Sequence, residues 1–457
     1  MRIFILFVLL AVGIPGKPQQ APKPNIILIL ADDMGYGDLG CYGQQQIQTP
    51  HIDALAKNGL RFTGYYAGST VCAPSREALL TGRHTGHTAI RGNFLTDSQE
   101  DPAMPGNKVT IAELLQKAGY RTGLIGKWGL GGEGHGPDTQ GFDYSYGYLD
   151  QIQAHNYFPP FLYENGKKVM LPQNGNGATG AYSHHLFVEK TMRFLEESTP
   201  RQPFFLYLPY TIPHGKHVIP DNSQYAGKDW PEQFRNYAAM ISLLDADVGR
   251  ILQLLRQKGL DKNTLVLFTS DNGANPGFAK FFHSNGHFRG HKTTLYEGGI
   301  RAPLIAWWPG VIKPGQTTGH MAAAWDLLPT LCTVAGIATP AGTDGISLYP
   351  LLAGKGRQAV HDHLYWEFYV YNYNWNKPGA TTPRNWLDAR AIRYRNWKAV
   401  IKNTPGGQEE AMELYNLDAD AGEKNNVAAA HPAVVKKMRA LLATASRADA
   451  PYFPYKP

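Results

Sequence analysis

The sequence predicts an α/β fold: a large doubly wound sheet flanked by helices, followed by a smaller C-terminal sheet plus helix. Three observations carry this. Two runs of apolar, mostly β-branched or leucine residues, Asn25 to Leu30 (NIILIL) and Thr264 to Thr269 (TLVLFT), are continuous rather than alternating, as in strands covered on both faces. Helical patterns lie between them, from Val109 to Gly119 and from Tyr237 to Gly259, each closed by a glycine that stops a helix. Past residue 345 the texture changes to short aromatic-rich segments, His363 to Val370 and Ala391 to Ile401, and then a helical pattern from Pro432 to Ala445.

The first 20 residues stand apart from this plan. Arg2 precedes an apolar run from Ile3 to Ile14 that is too short to span a bilayer and ends in small residues, the pattern of a signal peptide. The expectation is an exported protein, periplasmic or secreted, with no stable membrane anchor. The expected divisions are residues 1–20 as leader, 21–345 as catalytic domain and 346–457 as an α+β subdomain. Only Cys41, Cys72 and Cys332 occur, too few for a disulfide framework. Cys41 and Cys332 either pair or stay free and buried, and the apolar setting of Cys332 (WDLLPTLCTVAG) favours the second. The net charge of +7 comes without any Lys/Arg run, so nucleic acid is excluded as a partner and a small anionic substrate fits better.

Both apolar runs end in acidic residues, Asp32-Asp33 and Asp271-Asn272. Ligands of open α/β sheets bind at the C-terminal ends of the strands, so the two clusters are expected to face one site. Oxygen ligands alone suit a hard cation such as calcium or magnesium and not zinc.

The segment Val71 to Arg83, VCAPSREALLTGR, then narrows the chemistry. It resembles the signature of the formylglycine-dependent (type I) sulfatases, arylsulfatase-like members of the alkaline phosphatase superfamily, in which the cysteine is oxidised to formylglycine by a maturation enzyme. The resemblance implies a large mixed sheet of the alkaline-phosphatase type and hydrolysis of a sulfate ester. A hydrated aldehyde at residue 72 would be the nucleophile, one hydroxyl attacking sulfur and the other later expelling sulfate. A helix expected from Ser75 to Leu80 would aim its N-terminus at the anion, with Arg76 holding the diol. Asp32, Asp33, Asp271, Asn272 and residue 72 itself would hold Ca²⁺. Lys127 in GKWGLGG, His214 in YTIPHGK and Lys292 in RGHKTTLYEGGIRAP match family positions that contact the sulfate or the leaving oxygen.

One departure stands out. Many sulfatases read GKWHLG, whereas this chain has Gly129 in place of the histidine. Replacement candidates are His155, in the aromatic stretch YLDQIQAHNYFPP, and His135 in a Gly-rich loop. The expected substrate is a sulfated carbohydrate. His84, His87, Arg91 and Asn93 are candidates to touch the sugar or brace Cys72, and Tyr157, Phe158, Trp366, Tyr369, Trp375 and Trp386 are candidates to stack on sugar rings. Alternatives are an arylsulfatase or a phosphoesterase on the same fold, or an inactive glycan-binding relative.

Overall fold

The computed structural model describes residues 23–93, 103–371 and 385–446. The leader and Trp375 lie outside the described residues. Among those described, no helix is long and apolar enough to cross a membrane.

The first apolar run forms the strand Asn25–Ala31 and the second Thr264–Ser270, paired in parallel, with Phe204–Pro209 on the other side of the first. Arg121–Lys127 and Tyr144–Tyr148 continue the parallel block. Shorter strands extend both edges, some antiparallel, giving a ten-stranded mixed sheet.

Alternate residues of the first strand explain why its sequence is apolar throughout. Ile27 and Ile29 pack with helices Ser183–Glu197 and Glu232–Gln257 on one face, while Ile26, Leu28 and Leu30 pack with Ile111–Lys117 and Leu327–Ala335 on the other. Each such side chain withdrawn from water contributes about 1.5–3 kcal/mol before chain entropy is charged. Helix Ile111–Lys117 starts with a reciprocal capping box between Thr110 and Glu113.

The C-terminal unit is a four-stranded antiparallel sheet with helix Pro432–Ala445 against it. The single segment expected over Ala391 to Ile401 is a hairpin instead. Strands Asn385–Tyr394 and Trp397–Lys402 pair antiparallel about a turn in which Arg395 takes a left-handed φ of 54°. Cys332 is buried and unpaired as expected; Cys41 is also unpaired but only half-buried.

Candidate active site

Four neighbouring parallel strands deliver their C-terminal ends to one place. Asp32 and Asp33 follow Asn25–Ala31, Asp271 and Asn272 follow Thr264–Ser270, Lys127 ends Arg121–Lys127, and His214 lies just past Phe204–Pro209. The helix carrying Cys72 begins at that residue and runs Cys72–Thr81, ending on Gly82 in the left-handed region. This corrects the expected start at Ser75. The Ser75 hydroxyl, inside the helix, accepts from the Gly68 amide and donates to the Asp271 carbonyl.

The Cys72 sulfur lies 3.3 Å from Asp32 Oδ1 and 3.8 Å from Lys292 Nζ. Lys127 Nζ bonds Asp32 Oδ2 at 2.8 Å, and Lys292 Nζ bonds Asp33 at 2.7 Å. Arg76 lies between two carboxylates, with Nη2 at 2.8 Å from Asp271 Oδ2 and 3.2 Å from Asp32 Oδ2, while Nη1 donates to the Lys127 carbonyl at 2.9 Å. Asp33 takes a left-handed φ of 65°, an uncommon setting for a non-glycine residue, and its amide donates to Asp271 Oδ1 at 3.1 Å. Asn93 Oδ1 accepts the Ala73 amide at 3.1 Å and so braces the start of the Cys72 helix.

The charges here are buried and therefore strongly coupled. Burial alone would raise Asp32, yet Lys127, His214, Arg76 and Lys292 hold it well below the usual carboxylate range. Asp271 goes the other way: burial and the neighbouring Asp32 charge push it up to about 7. Burial, with Asp32 beside it, pushes the Cys72 thiol up, and burial lowers His214 to about 3.

The carboxylate and amide oxygens of Asp32, Asp33, Asp271 and Asn272 suit a hard cation, with Cys72 and His214 also within reach as ligands. Ligand atoms of Asp32, Asp33, Cys72 and His214 lie within 4.8 Å of one another. Asn272 donates through Nδ2 to Asp33 Oδ1 at 2.8 Å, but its Oδ1 is buried with no hydrogen-bond partner. A buried amide oxygen left bare costs about 1–3 kcal/mol, and an oxygen-seeking ion is the partner its surroundings would supply.

Two histidines flank this centre in the same manner. His155 and His214 meet edge to face with ring centroids 4.5 Å apart. His155 Nδ1 bonds the Gln151 carbonyl at 2.7 Å, and His214 Nδ1 bonds the Gly215 carbonyl at 2.5 Å. A carbonyl only accepts, so Nδ1 carries the proton in both and Nε2 is left for chemistry; His214 Nε2 lies 3.6 Å from Asp33 Oδ2. Gly129 has a φ of 70°, and a Cβ placed on it would come within 2.6 Å of the Gln151 amide nitrogen, which donates to the Gly129 carbonyl. Gln151 therefore occupies the space into which a side chain at 129 would point. His135, the other replacement candidate, is exposed.

The remaining candidates are engaged elsewhere. Arg91, a candidate to touch the sugar or brace Cys72, is buried, and its guanidinium bonds Glu367 at 2.5 Å and the Gly86 and Thr88 carbonyls. His87 stacks on His84 and bonds Asp344 at 2.8 Å, so its Nδ1 is also spent on the protein. Tyr157 and Trp366 are core side chains rather than exposed stacking platforms; each donates to backbone carbonyls. Phe158, Tyr369 and Trp386 are half-buried. Two site residues had no sequence signal: Gln151, and Asn275, whose Nδ2 bonds Asp33 Oδ2 at 2.9 Å.

Comparison with known proteins agrees with this geometry. The sulfatase family model matches residues 24–337, and a model of the N-sulphoglucosamine sulphohydrolase C-terminal region matches 285–448. Human arylsulfatase A is 34% identical, covering 94% of this chain and 89% of that protein. Rat N-acetylgalactosamine-6-sulfatase is 36% identical over 92% of this chain and 84% of its own length. Among solved structures, Ps i-CgsB in complex with k-i-k-neocarrahexaose superposes with a TM-score of 0.79 at 29% identity, covering 93% of each chain. With its strand ends, Cys72 helix and basic residues gathered at one centre, the chain belongs to the sulfatase family and is a sulfuric ester hydrolase.

Proposed function

We propose that this enzyme hydrolyses the sulfate ester of a sulfated carbohydrate, using formylglycine made from Cys72 and a bound calcium ion. The observation that carries the reading is the setting of Cys72, first in its helix, between Asp32 and Lys292, with its thiol held protonated. A buried protonated thiol is a poor nucleophile, so residue 72 needs conversion to act. Formylglycine supplies an oxygen nucleophile there; calcium, held by Asp32, Asp33, Asp271 and Asn272, supplies charge neutralisation on the sulfate oxygens.

The chain's own residues do the rest. Lys127 and Lys292, with the helix N-terminus, bind and orient the sulfate, and Arg76 keeps Asp32 and Asp271 in place while facing residue 72. His214 and His155 face the leaving oxygen through Nε2, and His155, once protonated at Nε2 as well as at Nδ1, would deliver that second proton to the leaving oxygen in place of a residue at 129. An arriving sulfate raises both histidine pKa values, because opposite charge favours imidazolium. The carbohydrate assignment is supported by the names of two relatives, an N-acetylgalactosamine-6-sulfatase and a protein solved with a neocarrahexaose.

On this reading residues 21–345 form the catalytic domain and 346–457 its C-terminal partner. Export to the periplasm or beyond, after maturation by a formylglycine-generating enzyme, belongs to the same proposal. Mass spectrometry of the peptide bearing Cys72, followed by a screen of defined sulfated sugars with and without a calcium chelator, tests it. Unmodified cysteine in fully active enzyme would sink the nucleophile assignment, and activity confined to aryl sulfates would sink the carbohydrate.

A further inference from the structure

The short turn Glu297–Ile300 packs against the segments that carry Asn272, Lys292 and Cys72. The amide of Gly273, one residue past Asn272, donates to the Gly299 carbonyl at 3.0 Å, and the amide of Thr293, beside Lys292, donates to the Thr70 carbonyl at 3.1 Å, two residues before Cys72. The packing is backbone against backbone. A Cβ on Gly273 would lie 1.9 Å from the Gly298 carbonyl oxygen, and one on Gly299 would lie 1.9 Å from the Thr294 carbonyl oxygen and 2.8 Å from Thr70 Oγ1. With no flexible side chain in between, a shift of this turn moves Asn272 and Lys292 with it.

Part of what holds the turn comes from the C-terminal sheet. Lys398, on strand Trp397–Lys402, is fully buried, with Nζ 3.0 Å from Glu297 Oε1 and 2.9 Å from Glu423 Oε1. Glu423 Oε2 accepts the Glu297 backbone amide at 2.6 Å, a donor that starts the short helix and has no partner within it. Glu297 also bonds Tyr66 and Arg301. A buried ammonium is tolerated only when its carboxylates are in place, so the cluster closes only with the turn in one position.

We propose that Lys398 and Glu423 are positioning residues of the active site, acting from the C-terminal sheet by locking the turn Glu297–Ile300 and, through it, Asn272 and Lys292. The activity half of the test rests on the sulfate-ester chemistry proposed above, and the calcium-binding half only on the calcium site proposed with it. The matured full chain is compared with Lys398→Met, Glu423→Ala and Glu423→Gln. Turnover is measured on para-nitrophenyl sulfate and calcium affinity by titration calorimetry, both well below the melting temperature. Lys398→Met and Glu423→Ala are expected to lose about 10–100-fold in kcat and to bind calcium more weakly, as when outer supports of a metal site are removed. In both, kcat falls more than KM rises, because misplacement is felt mainly in the transition state. Glu423→Gln keeps an acceptor for the Glu297 amide and recovers to within about threefold of the parent, the scale of one altered hydrogen bond. Folded Lys398→Met with kcat and calcium affinity both within about twofold of the parent overturns the proposal. Should Lys398→Met not fold, the Glu423 pair decides, and equal rates in its Ala and Gln forms overturn it. A parent inactive on every sulfate ester tried would instead refute the sulfatase reading, leaving calcium affinity to judge the positioning role.

Discussion

Two histidine pairs follow the same sequence logic and end in opposite situations. His155 and His214 come from separate loops, meet edge to face, and each spends Nδ1 on a backbone carbonyl, which leaves both Nε2 atoms unused by the backbone, His214 Nε2 lying 3.6 Å from Asp33 Oδ2. His84 and His87 come from one turn after the signature helix and stack 4.2 Å apart. There Asp344 takes His87 Nδ1 and the His84 amide, while the Gly86 amide donates to His84 Nδ1. A metal at the second pair would need His84 to ligate through Nε2, which requires a proton on the Nδ1 that is already an acceptor. What separates the two pairs is thus the partners of their ring nitrogens, a feature that spacing in the chain does not carry.

The contrast can be broken by mutation, and the largest effect sets the scale. Cys72→Ala should fall below about a hundredth of the parent turnover without loss of folding, since it deletes the nucleophile rather than core volume. Circular dichroism and turnover of the purified variant check this; a faster variant ends the formylglycine assignment. Next come His155→Ala and His214→Ala. If they deliver or hold the leaving-group proton, a sugar sulfate should slow by about 10²–10⁴-fold, and an aryl sulfate, whose phenolate leaves unaided, far less. Equal losses on both substrates would mean that the rings merely bind sulfate.

The third prediction concerns pH and the clamp of Asp344 on His84 and His87. Burial lowers His84 to about 3, against the pull of Asp344 and with His87, His363 and Arg91 adding to the depression. An unfolded histidine titrates near 6.5, so between these values the unfolded chain holds a proton that the folded one refuses, and stability falls as pH drops below about 6.5. His84→Asn keeps an acceptor for the Gly86 amide and removes the titration. Denaturant unfolding near pH 5 should show a pH slope smaller by about 1.4 kcal/mol per unit in the variant. An unchanged slope would mean that His84 is protonated in the folded state.

How far the sequence reaches follows from the range of the contacts involved. Asp32, Asp33, Asp271 and Asn272 were legible because a continuous apolar run announces a doubly covered strand, and the residues just past it must lie at the strand's end. Lys127, His214 and Lys292 were legible only through the order of family motifs, as nothing local distinguishes them from surface residues. Gln151, Asn275, Lys398 and Glu423 were not legible, since their parts are set by partners 22 to 242 positions away, as in Gln151 with Gly129 and Asn275 with Asp33. The Ala391 to Ile401 segment was misread because its turn lies at Arg395, with no glycine or proline to mark it.

The smallest effect tests the clamp from its other side. His87 was a candidate to touch the sugar, but its Nδ1 is bonded to Asp344, which also receives the His84 amide, so the carboxylate keeps one partner when the ring is removed. His87→Ala should therefore cost about 1 kcal/mol of stability, the usual net worth of one partly exposed hydrogen bond. It should leave kcat/KM for sugar and aryl sulfates in the parent ratio, because a clamp acts on folding and not on the leaving group. Thermal unfolding with parallel kinetics on the two substrates checks both halves. A selective loss on the sugar sulfate, with stability unchanged, would put His87 back in the sugar site and erase the distinction between the two pairs.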